Sequence, residues 1–121
     1  MTENYTYYDG FGNEPDYTFC LSDGNHITEK FHIWAGYFCD ILDIIPPDKD
    51  GWTGLAEYYR LSLEFENIYW KVPDILTALH QLENIDTSKM HFPESHEVLE
   101  ILIEMFKKAC ENNLTVYIEY F

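Results

Sequence analysis

Residues 95–121 read SHEVLEILIEMFKKACENNLTVYIEYF, and this stretch decides the fold class. Its first part carries apolar residues at helical spacing on one arc and charged residues on the opposite arc, which predicts an amphipathic helix over 95–112. Asn112 and Asn113 are typical of a helix that ends in a left-handed residue. After them, Val116, Ile118 and Tyr120 alternate with other residues, which predicts a strand. A long helix that leads directly into a strand argues against an all-helical fold.

Three other segments also have the patterns of regular structure. Thr28 can cap a second amphipathic helix over 29–45, which Pro46 and Pro47 would end because they lack the backbone amide that helix propagation needs. Residues 17–21 predict a short strand between turns rich in glycine and proline. Pro73-Asp74 is typical of a helix start, and the apolar row after it predicts a third helix that ends near residue 84.

Residues 55–66 fit two structures. Strict alternation of apolar and polar residues over 59–66 favours a strand, whereas the polar line formed by Glu57, Arg60 and Glu64 favours a helix. We expect a short helix over 54–58 followed by a strand to about residue 66. The segment 68–72 could then pair with that strand across a tight connection at Glu66-Asn67.

Together these patterns predict one α+β domain over residues 1–121. Three or four amphipathic helices would pack on a small antiparallel sheet that includes the C-terminal strand. The length suffices to bury one hydrophobic core without disulfides. Cys20, Cys39 and Cys110 are an odd number without a CxxC spacing, so no disulfide framework is expected. The first residues lack a signal sequence and no long apolar run follows, which predicts a soluble cytoplasmic protein.

Charge is the most unusual property of the sequence. The chain has 22 Asp and Glu residues against 7 Lys and Arg residues, a formal net charge of −15. A small domain needs a net charge of only roughly 2–8 to remain soluble, so solubility alone does not explain this excess. A surface of this kind repels nucleic acids and anionic membranes, whereas it attracts a basic protein and accelerates their encounter. Neither nucleic acid nor membrane is therefore an expected partner.

Catalytic and metal-binding patterns are missing from the sequence. The glycines lack the spacing of a phosphate-binding loop, and no nucleophile motif occurs. His32, Cys39 and Asp40 could be combined as base, nucleophile and orienting acid, but His32 and Cys39 lie two turns apart on the predicted helix, which favours packing. The loop DKDGWTGLAE resembles a calcium loop only in part, because Pro46 would occupy the first ligand position. We expect no enzyme activity, no cofactor and no metal.

Two acidic segments are the candidates for a contact surface. The first is the acidic and aromatic N-terminal region, whose aromatic residues could alternatively cover the open side of the sheet. The second is the polar loop around Trp52. The candidate partner-binding residues are Asp9, Glu14, Asp16, Tyr17, Asp23, Asp48, Asp50, Trp52 and Glu57.

In its size, its acidity and its lack of a catalytic set, the chain resembles the immunity proteins of bacterial contact-dependent growth inhibition and other polymorphic toxin systems. No motif carries this resemblance, so no residue role follows from it. It implies a one-to-one complex with a cognate basic toxin domain, a nuclease above all, made in the producing cell to prevent self-poisoning. Two alternatives remain open: a nucleic-acid mimic that inhibits a host DNA-binding enzyme, and a small acidic structural or metabolic subunit.

Overall fold

The computed structural model describes residues 1–65 and 69–121. Their fold is α+β, as the sequence predicts, with four α-helices and a five-stranded sheet in the described part of the chain. In chain order, the elements are β1 (Thr2–Tyr7), β2 (Asp16–Ser22), β3 (Ile27–Trp34), α1 (Ala35–Leu42), α2 (Gly54–Glu64), β4 (Tyr69–Lys71), α3 (Ile75–Glu83), a 3-10 turn (Thr87–Lys89), α4 (Pro93–Asn112) and β5 (Thr115–Tyr120).

The sheet has the strand order β1-β3-β2-β5-β4 and includes the predicted C-terminal strand. Its neighbouring strands are antiparallel except for β1 and β3, which run parallel, so the sheet is mixed where an antiparallel sheet was expected. The chain reverses after β1 and again after β2, which leaves β3 running in the same direction as β1. Because β2 already has β5 on its other side, β1 pairs with the free edge of β3.

Helices cover one face of the sheet and form the core with it. Successive side chains of a strand point to opposite faces, so the fully buried Tyr17 and Phe19 of β2 face the helices and Thr18 faces away from them. The predicted helix over 95–112 is confirmed as α4, and Asn113 adopts the expected left-handed conformation with φ 54° and ψ 45°. The buried residues of α4 are Ser95, Val98, Leu99, Leu102, Met105, Phe106 and Ala109.

The predicted helix over 29–45 is wrong in its first part. Residues up to Trp34 belong to β3, and α1 covers only Ala35–Leu42. The reason is the pairing of β3 with strands on both sides, which satisfies its backbone groups and places Phe31 and Ile33 in the core. Thr28 consequently lies in a strand and caps no helix.

The expected strand after residue 58 is also wrong, because α2 continues to Glu64. Its buried residues Leu55, Tyr58, Tyr59 and Ser62 follow the helical period, whereas Leu63, one of the apolar residues of the apparent alternation, stays exposed. Strand β4 pairs with β5 and not with this segment. The proposed connection at Glu66-Asn67 lies outside the described residues. No helix in the described ranges is both long and apolar enough to cross a membrane.

Candidate partner-binding surface

The loop between α1 and α2 places several of the predicted contact residues on the surface. Asp48 N donates a hydrogen bond to Gly51 O at 2.8 Å, and Gly51 N donates to Asp48 O at 3.0 Å, so the two residues close a tight turn. Gly51 has φ 101°, a conformation that residues with a side chain rarely adopt. Asp48 and Asp50 are both exposed on this turn, and Glu57 is exposed in the first turn of α2.

Gln81 of α3 fixes the end of this loop. Its Oε1 accepts a hydrogen bond from Leu55 N at 2.8 Å, and its Nε2 donates to Thr53 O at 2.9 Å. A Cβ atom at Gly54 would overlap the Gln81 amide, and Gly54 also has φ 59°, so glycine is required there. The loop is therefore held in the free protein, and a partner that bound it would order little additional backbone.

Trp52 is held by a cation from α2. The Arg60 guanidinium lies 4.5 Å from the centroid of the Trp52 ring, and 38% of Trp52 remains exposed. Arg60 Nη2 lies 3.9 Å from Asp43 Oδ1, and the Tyr59 hydroxyl donates to that same oxygen at 2.8 Å. Burial and hydrogen bonds with Cys39 and Asp43 raise the pKa of Tyr59, so the hydroxyl keeps its proton. The Trp52 ring is thus held in place by Arg60 and remains accessible to solvent.

A groove of about 540 Å³ separates this loop from α3. Ile45 and Ile85 contribute apolar surface to it, while Asp48 and Asp86 contribute carboxylates. A lysine or arginine side chain, with an aliphatic stem and a cationic end, matches this combination of apolar surface and carboxylates. Lys89 also lines the groove and would repel such a cation. The groove extends the loop surface toward the start of the 3-10 turn.

The N-terminal predicted residues do not form one patch. Asp9 and Glu14 are exposed in the loop between β1 and β2, but Asp16 begins β2 and Asp23 directly follows its end, about 23 Å away at the rise of a strand. Asp23 Oδ1 accepts hydrogen bonds from Asn25 N and His26 N at 2.9 and 2.8 Å. These bonds lower the pKa of Asp23 and give it a role in the turn.

Tyr17 is not a contact residue, and that interpretation is wrong. Its side chain is fully buried, its ring lies 4.3 Å from that of Phe38, and its hydroxyl shares a 2.5 Å hydrogen bond with Ser62. Asp16 is largely covered as well, because it accepts a hydrogen bond from Thr18 Oγ1 at 3.1 Å and lies 3.6 Å from His32 Nδ1. Tyr17 is buried because the two-residue period of β2 turns its side chain toward the helices.

A polar cluster around His32 was missed in the sequence. On the open face of the sheet, His32 Nδ1 lies 2.9 Å from Thr18 Oγ1 and Nε2 lies 3.0 Å from Glu3 Oε2. The Tyr5 ring stacks on His32 at 4.0 Å, and its hydroxyl donates to Glu3. Hydrogen bonds from Tyr5 and His32 lower the pKa of Glu3. The cluster ties β1 to β3 and β2, and its members are too far apart in sequence to show a motif.

His32, Cys39 and Asp40, considered from the sequence as a catalytic set, lie in different surroundings. His32 bonds to Thr18 and Glu3, Asp40 bonds to Ser95 at the start of α4, and burial raises the pKa of the Cys39 thiol. Among the described residues, no three His, Cys, Asp or Glu side chains are grouped as a metal site requires. In comparisons with protein-family models, curated proteins and solved structures, nothing matches this chain.

Proposed function

We propose that this protein is an inhibitory binding protein of the immunity type, which masks the active site or substrate groove of a basic toxin in a one-to-one complex. The observation that carries the proposal is the fixed loop that exposes Asp48, Asp50 and Trp52, next to the exposed Glu57 of α2, on a chain with a net charge of −15. A toxin that cleaves RNA or DNA must present a cationic surface to phosphates. Carboxylates can fill such a surface with charge-assisted hydrogen bonds.

The loop combines the two chemical features that such masking needs. Its carboxylates would steer the encounter with a basic partner, while the exposed ring of Trp52 would supply apolar contact area after docking. Arg60 holds the Trp52 ring, the turn closed by Asp48 and Gly51 positions the aspartates, and Gln81 fixes the end of the loop. Association would therefore require little rearrangement of this surface.

A nucleic-acid mimic is the second candidate function, and a row of glutamates on α4 favours it. Glu97, Glu100 and Glu104 follow one another at three- and four-residue spacing, about 4.5–6 Å apart along the helix axis. Regularly spaced carboxylates along one face are the feature that a phosphate mimic needs. Lys107 and Lys108 interrupt the row, which favours the toxin inhibitor.

The first test compares two charge reversals of equal size. The partner is captured from lysate of the source cells with the tagged protein and identified by mass spectrometry, and its association rate is then measured at low salt. We expect Asp48→Lys with Asp50→Lys to slow association by roughly ten-fold or more, because steering is lost. Glu100→Lys with Glu104→Lys on α4 is the matched control and should change the rate less.

The outcomes separate the candidate functions. A basic C-terminal domain of a large secreted protein, bound in a one-to-one ratio and weakened by salt, would support the immunity function. A DNA-processing enzyme whose association depends on the α4 pair would favour the mimic. An association rate that the loop variant leaves unchanged at low salt would contradict the assigned surface. If no basic partner is recovered, a structural or metabolic subunit becomes the better description.

A further inference from the structure

Four aromatic side chains from three separate segments meet at the end of the sheet where β3 runs into α1. The Phe11 ring stacks on Trp34 with centroids 4.5 Å apart and planes 6° apart. Tyr37 meets both rings edge-on, at 5.7 Å from Phe11 and 5.2 Å from Trp34. Phe92 lies 5.5 Å from Trp34 and 5.8 Å from Tyr37. We call these four residues the aromatic platform.

The surrounding backbone holds the platform in place. A Cβ atom at Gly36 would overlap the Trp34 ring, so the absence of a side chain there lets the indole lie against the start of α1. Ala35 N donates to Pro15 O at 2.9 Å, which ties the loop that carries Phe11 to the same helix. Phe92 N donates to the buried carboxylate of Asp40 at 3.0 Å. The rings are therefore positioned without a partner.

The platform is partly open to solvent. Phe92 is 38% exposed and Phe11 and Trp34 are half-buried, whereas Tyr37 is buried beneath them. A rigid, half-covered group of large rings has the composition of an interface hot spot, in which aromatic residues supply contact area at low entropic cost. Phe92 is the ring of this group that a partner reaches most easily.

The segments that build this surface carry carboxylates and two histidines, His91 and His96. Residues 8–15, 34–37 and 91–97 contain no Lys or Arg, and their carboxylates are Asp9, Glu14, Glu94 and Glu97. In the described ranges none of these four carboxylates forms an ion pair. The loop around Trp52, by contrast, contains Lys49 and already uses Arg60 as the cation over its ring.

We propose that the aromatic platform receives an arginine side chain of the basic partner, as a second anchor in addition to the Trp52 loop. The guanidinium stacks on Phe92, and Glu94, two residues further on in the first turn of α4, supplies a carboxylate for its hydrogen bonds. Arginine fits this chemistry better than lysine because its planar group stacks on rings and forms paired bonds to carboxylates. A second copy of this chain is disfavoured as occupant because both copies would carry a net charge of −15. The inference rests on the proposed function only for the basic character of the partner.

An oligo-arginine peptide and an oligo-lysine peptide of equal length test the site without the natural partner. Each is titrated at low salt into the ¹⁵N-labelled protein, with the indole resonances assigned by single Trp→Phe variants. We expect the arginine peptide to shift the Trp34 indole and the Phe92 and Glu94 amides more strongly than the lysine peptide does. Absence of shifts at the platform, or equal effects of the two peptides there, would overturn the proposal, whereas shifts at the Trp52 loop would report the first anchor.

Two variants separate the stacking from the charge. Phe92→Leu keeps an apolar side chain and should weaken arginine-peptide binding by about two- to five-fold, the size expected for a cation–π contact at an exposed site. Glu94→Gln should weaken binding of both peptides. Phe65→Leu is the matched control, because Phe65 is 58% exposed elsewhere on the molecule, and it should leave binding unchanged. Melting temperatures of all three variants report whether they remain folded.

The same variants distinguish the failure of this inference from the failure of the proposed function. If a captured basic toxin binds Phe92→Leu as tightly as the unchanged protein, the platform is not an anchor, and the proposed function stands. If capture recovers no basic partner, the proposed function fails, whichever residues the peptides contact.

Discussion

One buried carboxylate joins α1 to the start of α4. Asp40, whose side chain is only 2% exposed, accepts hydrogen bonds from the backbone N–H groups of His91 and Phe92 at 3.0 Å and from Ser95 Oγ at 2.7 Å. The N-cap residue of α4 is Phe92, which has no side-chain oxygen. Asp40 therefore fixes, from another helix, the backbone that leads into α4 and the Ser95 hydroxyl in its first turn.

The pKa of Asp40 shows whether burial or hydrogen bonding dominates at this position. Burial raises the pKa, but the hydrogen bonds from Ser95, Phe92 and His91 outweigh it and hold the pKa below its ordinary value. An aspartate has a pKa near 3.9 in an unfolded chain. The stabilisation by ionised Asp40 is therefore complete above about pH 4–5 and is lost as the pH falls through the lower pKa of the folded state.

Asp40→Ala should lower the free energy of unfolding by about 2–4 kcal/mol at neutral pH, because buried donors lose a charged acceptor. Urea denaturation measures the loss. The difference in free energy of unfolding between the variant and the unchanged protein should narrow below about pH 3.9, where the carboxylate becomes protonated. Asp50→Ala, which removes an exposed acid from the loop, is the control and should have little effect. A gap that stays constant down to the lowest pH at which both proteins fold would contradict this account.

At the scale of elements, α4 and β5 were predictable, whereas the boundary between β3 and α1 was not. One arc of apolar residues runs through the whole of α4, so a single period fits it. In residues 29–45, Phe31 and Ile33 fit a strand, but Phe31, Trp34 and Phe38 also fit a helix. Pairing with β1 and β2 decides between these two structures, and one sequence does not reveal that pairing.

The same distinction separates the two proposed contact surfaces. The Trp52 loop could be predicted because its acids and its glycine turn lie within ten residues of each other in the sequence. The aromatic platform could not, because Phe11, Trp34 and Phe92 become neighbours only when β1, β3 and α4 are assembled. A surface loop can be recognised from a local sequence pattern. A cluster whose residues come from several elements can be recognised only when the fold is known.

The packing of α4 gives a direct test of its register. Leu102 is fully buried, so Leu102→Asp should cost roughly 4 kcal/mol or more and unfold the protein, because an unpaired carboxylate enters the core. Ile101 is only half-buried, and Ile101→Asp should cost less. Cys110→Asp places the same side chain on the exposed face of the helix and should be tolerated. Circular dichroism during heating measures all three, and an unchanged melting temperature for Leu102→Asp would show that the register is wrong.

At the scale of the whole molecule, most carboxylates have no cation to pair with. The chain has 22 acidic residues for 7 basic ones, and the ion pair of Lys108 with Glu29, at 2.7 Å, accounts for one of those cations. Repulsion among the remaining acids opposes the compact state. The excess that would attract a basic partner therefore also reduces the stability of the free protein.

Sodium chloride should consequently raise the melting temperature by several degrees between about 0.02 and 0.3 M, because the Debye length falls below 10 Å over this range. Differential scanning calorimetry measures the rise. A variant with Glu100→Gln and Glu104→Gln removes a like-charged pair one helical turn apart, and its rise should be smaller. A melting temperature that falls with salt would mean that attractive ion pairs dominate the surface.

The position of β5 within the sheet has a consequence for the synthesis of the protein. β5 follows every other element in chain order, yet it lies between β2 and β4. While a ribosome still encloses residues 115–120, β4 has no neighbouring strand and β2 keeps an open edge. Such edges are sites of aggregation and of chaperone binding. The sheet can be completed only after β5 has emerged from the ribosome, so residues 1–114 cannot complete the core progressively as they are made.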